Sequence, residues 1–250
     1  MSINNMFSQQ DIRILLQTTS FRQQELIETY ARLPKTQCRR EARCCSLLPE
    51  MTLLEALAII QRMMDMPASD RKGLIQKISG YFFINPIEIT SCPFLNGQDC
   101  LIYSDRPFGC RAYGLWSPAY YKKVAEQSRQ VKTDLQKQWE RYGVLLPKKV
   151  CDFFMPYCLS IKIADSAWID DKMMLKISNE IEAISEGLER WHHVFAQIYF
   201  CDFSFLAAAM MFGTTESVRM KFRLVNDIIA TGEKTALDKI IRTVPDFFEE

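Results

Sequence analysis

Apolar residues recur at helical spacing from the start of the chain: Ile12, Leu15 and Leu16, then Phe21, Leu26, Ile27 and Tyr30. The spacing predicts two tandem helices, parted near Thr18-Thr19-Ser20, where a hydroxyl can cap the second. Pro34 ends that second helix. The run Leu53 to Met64 follows Thr52, with Glu55 three residues on, which is the capping-box signature of a core helix. A further helix is expected over residues 68–79, stopped by Gly80. From Tyr81 to Trp116 the pattern changes to short apolar runs between turn residues. Asn96-Gly97 lies between Cys92-Pro-Phe-Leu and Cys100-Leu-Ile-Tyr, a hairpin signature. Ser104-Asp105-Arg106-Pro107 then begins a short helix carrying Cys110 and Arg111. A long polar amphipathic helix is expected over 118–142 and an irregular apolar link over 147–163. Beyond Trp168 all is expected to be helix, over roughly 169–190, 193–212, 214–230 and 234–243.

This predicts a mainly α fold, a helical protein with a small cysteine-rich loop and β-hairpin metal-binding region. Residues 1–165 are expected to form a cysteine-cluster metal-binding domain with flanking helices, and 166–250 a helical domain or extension packed on it. Val194 to Phe212 is apolar enough to raise the question of a membrane span. Asp202 sits at its centre, and a central Asp costs about 2.5–3.5 kcal/mol on insertion scales. A buried core helix is the better reading, and no membrane span is expected.

Composition narrows the function classes. The chain has 250 residues, 48% hydrophobic and 24% charged, with a net charge of +1, so it can bury a substantial core. That neutral balance argues against a nucleic-acid partner, because contacting several phosphates needs a basic excess. Nine cysteines stand against two histidines. Met1 to Gln10 shows no basic cap followed by an apolar run, so the thiols are read as reduced and the protein as cytoplasmic.

The cysteines fall in a suggestive order. Cys38 is followed by the adjacent pair Cys44-Cys45, then by Cys92, Cys100 and Cys110, and later by Cys151, Cys158 and Cys201. The first six lie in turn contexts, where a backbone can wrap a metal. The hairpin can bring Cys92 and Cys100 together, and the short helix can turn Cys110 towards them. Cys44 and Cys45, being neighbours, are expected to have diverging Cβ vectors that cannot both grip one ion. Structural zinc usually takes knuckles with two to four residues between cysteines, and no pair here has that spacing. Widely separated thiolates can hold an iron–sulfur cluster, whose negative charge gains from nearby cations. Arg39, Arg40, Arg43, Arg106 and Arg111 lie close to these cysteines.

At these residues the chain resembles the YkgJ-type cysteine-cluster family of zinc- or iron-chelating proteins. The family's first block is close to C-x-x-C-x-x-C-C, and its second resembles C-P-F-L, then C-x-I-Y, then R-P-x-x-C-R-x-Y. This chain reads CRREARCC over Cys38–Cys45, with Glu41 in the place of the second family cysteine, and CPFLNGQDCLIYSDRPFGCRAY over Cys92–Tyr113. The resemblance covers roughly residues 36–160. It implies a metal site at Cys38, Cys44, Cys45, Cys92, Cys100 and Cys110, with Arg106, Arg111 and Tyr113 beside the cofactor. The cofactor is then an iron–sulfur cluster, [4Fe–4S] by preference, with zinc the alternative. The family is also similar to flagellin lysine methylases.

Other residues have plainer readings. Cys151 and Cys201 are read as packing and Cys158 as a possible addition to the site. His192-His193 is read as a polar helix face, and Tyr120 and Tyr121 as helix packing. Met63, Met64, Met66, Met173, Met174, Met210 and Met211 are read as core. A thiolate nucleophile is disfavoured because neither His has a reason to meet Cys44. Three functions remain: an iron–sulfur protein of redox or electron transfer, a structural zinc interaction module, and an iron–sulfur-dependent modifying enzyme such as a lysine methylase. The last lacks any Gly-rich loop for a methyl donor. In each the partner or substrate is a protein.

Overall fold

The computed structural model describes residues 7–37, 41–163, 169–246 and 248, and the protein is mainly helical. Helices α1 (Gln9–Thr18) and α2 (Ser20–Tyr30) are parted at Thr19, as the spacing predicts. Strand β1 (Thr36–Gln37) and a 3₁₀ turn (Arg43–Ser46) lead to α3 (Leu53–Met64) and α4 (Ala68–Ile84). Then come β2 (Leu95–Asn96), β3 (Asp99–Cys100), the one-turn α5 (Phe108–Arg111), the long α6 (Pro118–Arg141), the one-turn α7 (Lys148–Cys151) and β4 (Lys162–Ile163). Five helices finish the chain: α8 (Asp171–Glu186), α9 (Arg190–Ile198), α10 (Phe203–Phe212), α11 (Thr214–Thr231) and α12 (Thr235–Arg242).

The central element is α3. Leu53, Leu54, Ala56, Leu57, Ile59, Ile60 and Met63 are all buried, and the helix packs against α1, α2, α8 and α9. Alongside, α4 packs against α10, α11 and α12, and one hydrophobic core joins both groups. That core draws on residues from both sides of residue 165.

Three expectations change. Gly80 does not stop α4, which runs on to Ile84; a Cβ at Gly80 would lie 3.1 Å from Ile241 Cδ1, so the missing side chain admits α12. Residues 193–212 are not one helix. Phe200 and Cys201 have positive φ, α9 and α10 meet at 96°, and Asp202 caps α10 through Ser204 N–H and Phe205 N–H. No single helix among the described residues is long and apolar enough to cross a membrane, although the bent pair α9 and α10 together has the required length and composition. Of the methionines, Met64 and Met173 face outward, while their neighbours Met63 and Met174 are buried.

Both small sheets serve the cysteine region. β2 and β3 form the expected hairpin, with Leu95 opposite Cys100 and Asn96 opposite Asp99. The turn is thus Gly97-Gln98, one residue later than the dipeptide suggests, with positive φ at Gly97. β1 pairs antiparallel with β4, Gln37 opposite Lys162, so the chain entering the first cysteine block lies beside the segment leaving Cys158.

Glu55 ties these parts together. The carboxylate is 3% exposed. Its Oε2 accepts from Thr52 N–H (2.7 Å) and Thr52 Oγ (3.0 Å), completing the capping box of α3. Its Oε1 accepts from the Tyr30 hydroxyl on α2 and from Phe108 N–H (2.5 Å), the first amide of α5. One side chain therefore joins three helices. Glu55→Ala is expected to lower the unfolding free energy by about 3 kcal/mol or more, since a hydrogen bond to a charged group contributes about 1.5–3 kcal/mol. Urea denaturation followed by circular dichroism measures it; a loss below about 1 kcal/mol, the scale of one neutral hydrogen bond, would show the carboxylate to be dispensable.

Candidate metal centre

Two chain segments build the centre. In the first, Ala42 takes left-handed backbone angles (φ 54°, ψ 16°) and Arg43–Ser46 close a 3₁₀ turn that presents Cys44 and Cys45. Leu48 N–H donates to the Tyr81 hydroxyl of α4 (2.9 Å), and Cys45 O accepts from Cys92 N–H (2.6 Å). This backbone contact ties the first block to the second. In the second segment, Cys92 precedes the hairpin and Cys100 ends it. Turns closed by Tyr103 N–H to Cys100 O and Asp105 N–H to Ile102 O then swing the chain into α5, which carries Cys110.

Cys44, Cys45, Cys92, Cys100 and Cys110 all line one cavity of about 60 Å³. Leu48, Phe94, Leu95, Ile102 and Pro107 supply apolar wall, and Gln98, Asp99 and Arg106 the polar rim. Cys38 lies outside the described residues. The Sγ atoms of Cys44 and Cys45 are 3.9 Å apart, so the side chains of this pair do not diverge. Non-helical angles at Cys45 (φ −91°, ψ 17°) turn it out of the 3₁₀ path towards its neighbour.

Electrostatics divide the thiols. A hydrogen bond from Cys45 pulls the Cys44 thiol down to about 6, assisted by the charge of Arg106. The same contact, together with burial, holds Cys45 far above the usual thiol range. Burial pushes Cys92 up to about 12, and raises Cys110 and Cys100 as well. Arg106 opposes that rise at Cys100 and Cys110. Its own place is set by Nε donating to Tyr103 O (3.0 Å) and by stacking on the Tyr103 ring (3.7 Å).

The other expected site residues stand behind this cavity. Arg111 donates through Nε to Arg106 O (2.6 Å) and through a terminal nitrogen to Ser104 O, and its guanidinium stacks on Tyr30 (4.2 Å). It acts on the centre by holding the 104–106 backbone. Arg111 and Tyr113 line a second, smaller cavity with Cys44, Cys110 and Cys158. The Tyr113 hydroxyl donates to Pro156 O, and burial raises its pKa. Glu41 pairs with Arg43 (3.1 Å) and lines space on the Cys158 side. Gly114, at φ +84°, brings the chain against Cys158, whose Cβ would lie 3.0 Å from any Cβ there. Cys151 and Cys201 lie elsewhere, packed against hydrophobic clusters.

His192 is more than a polar face residue. Its Nδ1 lies 3.2 Å from Ser185 Oγ and its Nε2 3.2 Å from Glu182 Oε1, and one ligand atom each of Glu182, Glu186 and His192 fall within 4.8 Å of one another. Both ring nitrogens already have partners, so the group stands as a hydrogen-bonded cluster. The Tyr30–Glu55–Phe108 link escapes sequence reading too: the capping box marks Glu55 but not its second set of donors. Comparison with protein-family models, curated proteins and solved structures finds no match for the chain.

Thiol reactivity follows thiolate content and access. In reduced, metal-free protein at pH 7, iodoacetamide should label Cys44 first, and Cys92 and Cys110 last, as read by peptide mass spectrometry against time. Equal rates for Cys44 and Cys110 would contradict this electrostatic division.

Proposed function

We propose that the five thiols of this cavity bind an iron–sulfur cluster and that the protein works in redox chemistry or electron transfer. The observation that carries the reading is the convergence of Cys44 and Cys45 with Cys92, Cys100 and Cys110, from segments almost fifty residues apart, on one apolar-walled cavity. The donor set fits such a group. It is all sulfur, it exceeds the four thiolates that one cubane takes, and Arg106 stands at the rim as a counter-charge to an anionic cluster. Placement of the chain in the YkgJ-type cysteine-cluster family is part of the same proposal.

One distance favours a second reading. A tetrahedral zinc with Zn–S bonds of about 2.3 Å sets its sulfurs about 3.8 Å apart. Cys44 and Cys45 stand at 3.9 Å, so the pair suits a shared zinc ion as well as two positions around a cluster.

Anaerobic purification followed by iron and acid-labile sulfide assay separates the two. The expected result is a brown protein with broad visible absorption, iron and sulfide in equal amounts, and a reduced-state EPR signal. Cys92→Ser and Cys110→Ser should lose the colour, whereas Cys151→Ser and Cys201→Ser should keep it. A colourless protein with stoichiometric zinc and no sulfide would overturn the iron–sulfur reading in favour of the zinc site.

A further inference from the structure

Between Cys110 and Cys151 in the sequence, α6 presents an apolar seam that the described residues leave exposed. Val124, Ser128, Val131, Leu135, Gln138 and Tyr142 follow one another at alternating steps of four and three, the spacing of a coiled-coil seam. No residue of α6 is buried, and Val131, Leu135 and Tyr142 are 67%, 45% and 73% exposed. The neighbouring face of the helix is occupied: Arg129 and Lys132 stack on Phe154, and the Tyr121 hydroxyl donates to Met155 O. The seam opens at its C-terminal end into a groove of about 690 Å³ against α11. Trp139 and Phe222 form its floor, stacked parallel at 4.7 Å with 4° between the rings. Arg219 and Arg223, one helical turn apart on α11, line it, and neither side chain has a hydrogen bond or ion pair among the described residues.

Charge identifies the occupant. Residues 118–141 hold six basic and three acidic side chains, a net +3 in a protein of net charge +1. With the two unpaired arginines across the groove, the apolar seam runs along a positive border. A second copy of the chain would set this positive helix against its own like charge. A nucleic acid would leave Val131 and Leu135 facing phosphates. An amphipathic helix with apolar residues at heptad spacing and acidic flanks satisfies both the seam and the arginines.

We propose that the α6–α11 groove docks an acidic amphipathic helix of a partner protein. This site is separate from the thiol cavity and does not depend on the metal it takes. The probe is a fluorescein-labelled peptide of four heptads with Leu at the seam positions and Glu on both flanks, which repels itself and so stays monomeric. Titrated with the full-length protein, its anisotropy should rise and saturate at micromolar concentration, and affinity should fall as salt rises. The double variant Arg219→Glu/Arg223→Glu, and separately Leu135→Asp, should weaken binding at least tenfold with unchanged circular dichroism; both alter exposed positions, so folding is retained. The same peptide with Lys flanks should not bind. Failure of the Glu peptide to bind, equal binding of the Lys peptide, or variants that leave affinity unchanged would overturn the proposal. So would light scattering that shows a dimer abolished by Leu135→Asp, or displacement of the peptide by a 28-nucleotide thymidine strand.

Discussion

Most of this architecture turns on one buried carboxylate. Glu55 sits on the central helix, and its donors come from its own helix start, from Tyr30 on α2 and from the first amide of α5. A carboxylate without such donors would not be tolerated in the core, since burying an unpaired charge costs several kcal/mol. The reverse also holds. Each donor it satisfies is a backbone or hydroxyl group drawn into or beside the core, so the three segments meet where this acceptor stands. Through Phe108 the constraint reaches Cys110, two residues on. Through Tyr30 it reaches Arg111, which stacks on that ring and holds the 104–106 backbone behind Arg106. The position of the charged rim of the thiol cavity is thus inherited from the capping box of α3.

The thiol centre therefore differs from a zinc finger in what builds it. Small zinc domains gather their ligands only when metal supplies the folding free energy. Here the loops are shaped by protein contacts: Cys45 O with Cys92 N–H, Leu48 N–H with Tyr81, the hairpin pairing of Leu95 with Cys100, and the β1–β4 pair beyond. Helices α3 and α4 supply the platform under both cysteine blocks. Burial favours the protonated form of Cys92, Cys100 and Cys110, whereas the Cys45 hydrogen bond favours the thiolate of Cys44. A cation bound by these thiols, as proposed, would have to displace protons as well as bind sulfur, which would couple its binding to pH.

Helix positions were legible where a local signal and the apolar period agreed. Thr52 with Glu55 marked α3, and Asn96-Gly97 marked the hairpin to within one residue. The failures share a cause: a local signal overruled by a partner distant in sequence. Gly80 reads as a stop in isolation, yet α12 occupies the space its side chain would take. The apolar run over 194–212 conceals a right-angled corner, because its second arm is core while its first buries only Phe195, and Asp202 serves as a cap rather than as a charge inside a helix. Arg111, expected beside the thiols from its sequence neighbourhood, lines a cavity with Cys44 and Cys110, while its contacts to Tyr30 and to the carbonyls of Ser104 and Arg106 had no local signal.

The vicinal pair shows the same limit at atomic scale. In a regular helix or strand, adjacent side chains point apart by about 100° or 180°, and divergence is the natural expectation for Cys44 and Cys45. A left-handed residue at Ala42 and bridge-like angles at Cys45 remove that regularity, and the two sulfurs close to 3.9 Å. Their proximity has two consequences that pull in different directions. One sulfur can donate to the other, which makes Cys44 the readiest thiolate of the group. Two negative sulfurs at that distance would repel strongly without a cation between or beside them. The left-handed turn at Ala42, the lowered Cys44 thiol and the nearby Arg106 thus make one arrangement, in which the first block favours a single thiolate and disfavours a second beside it.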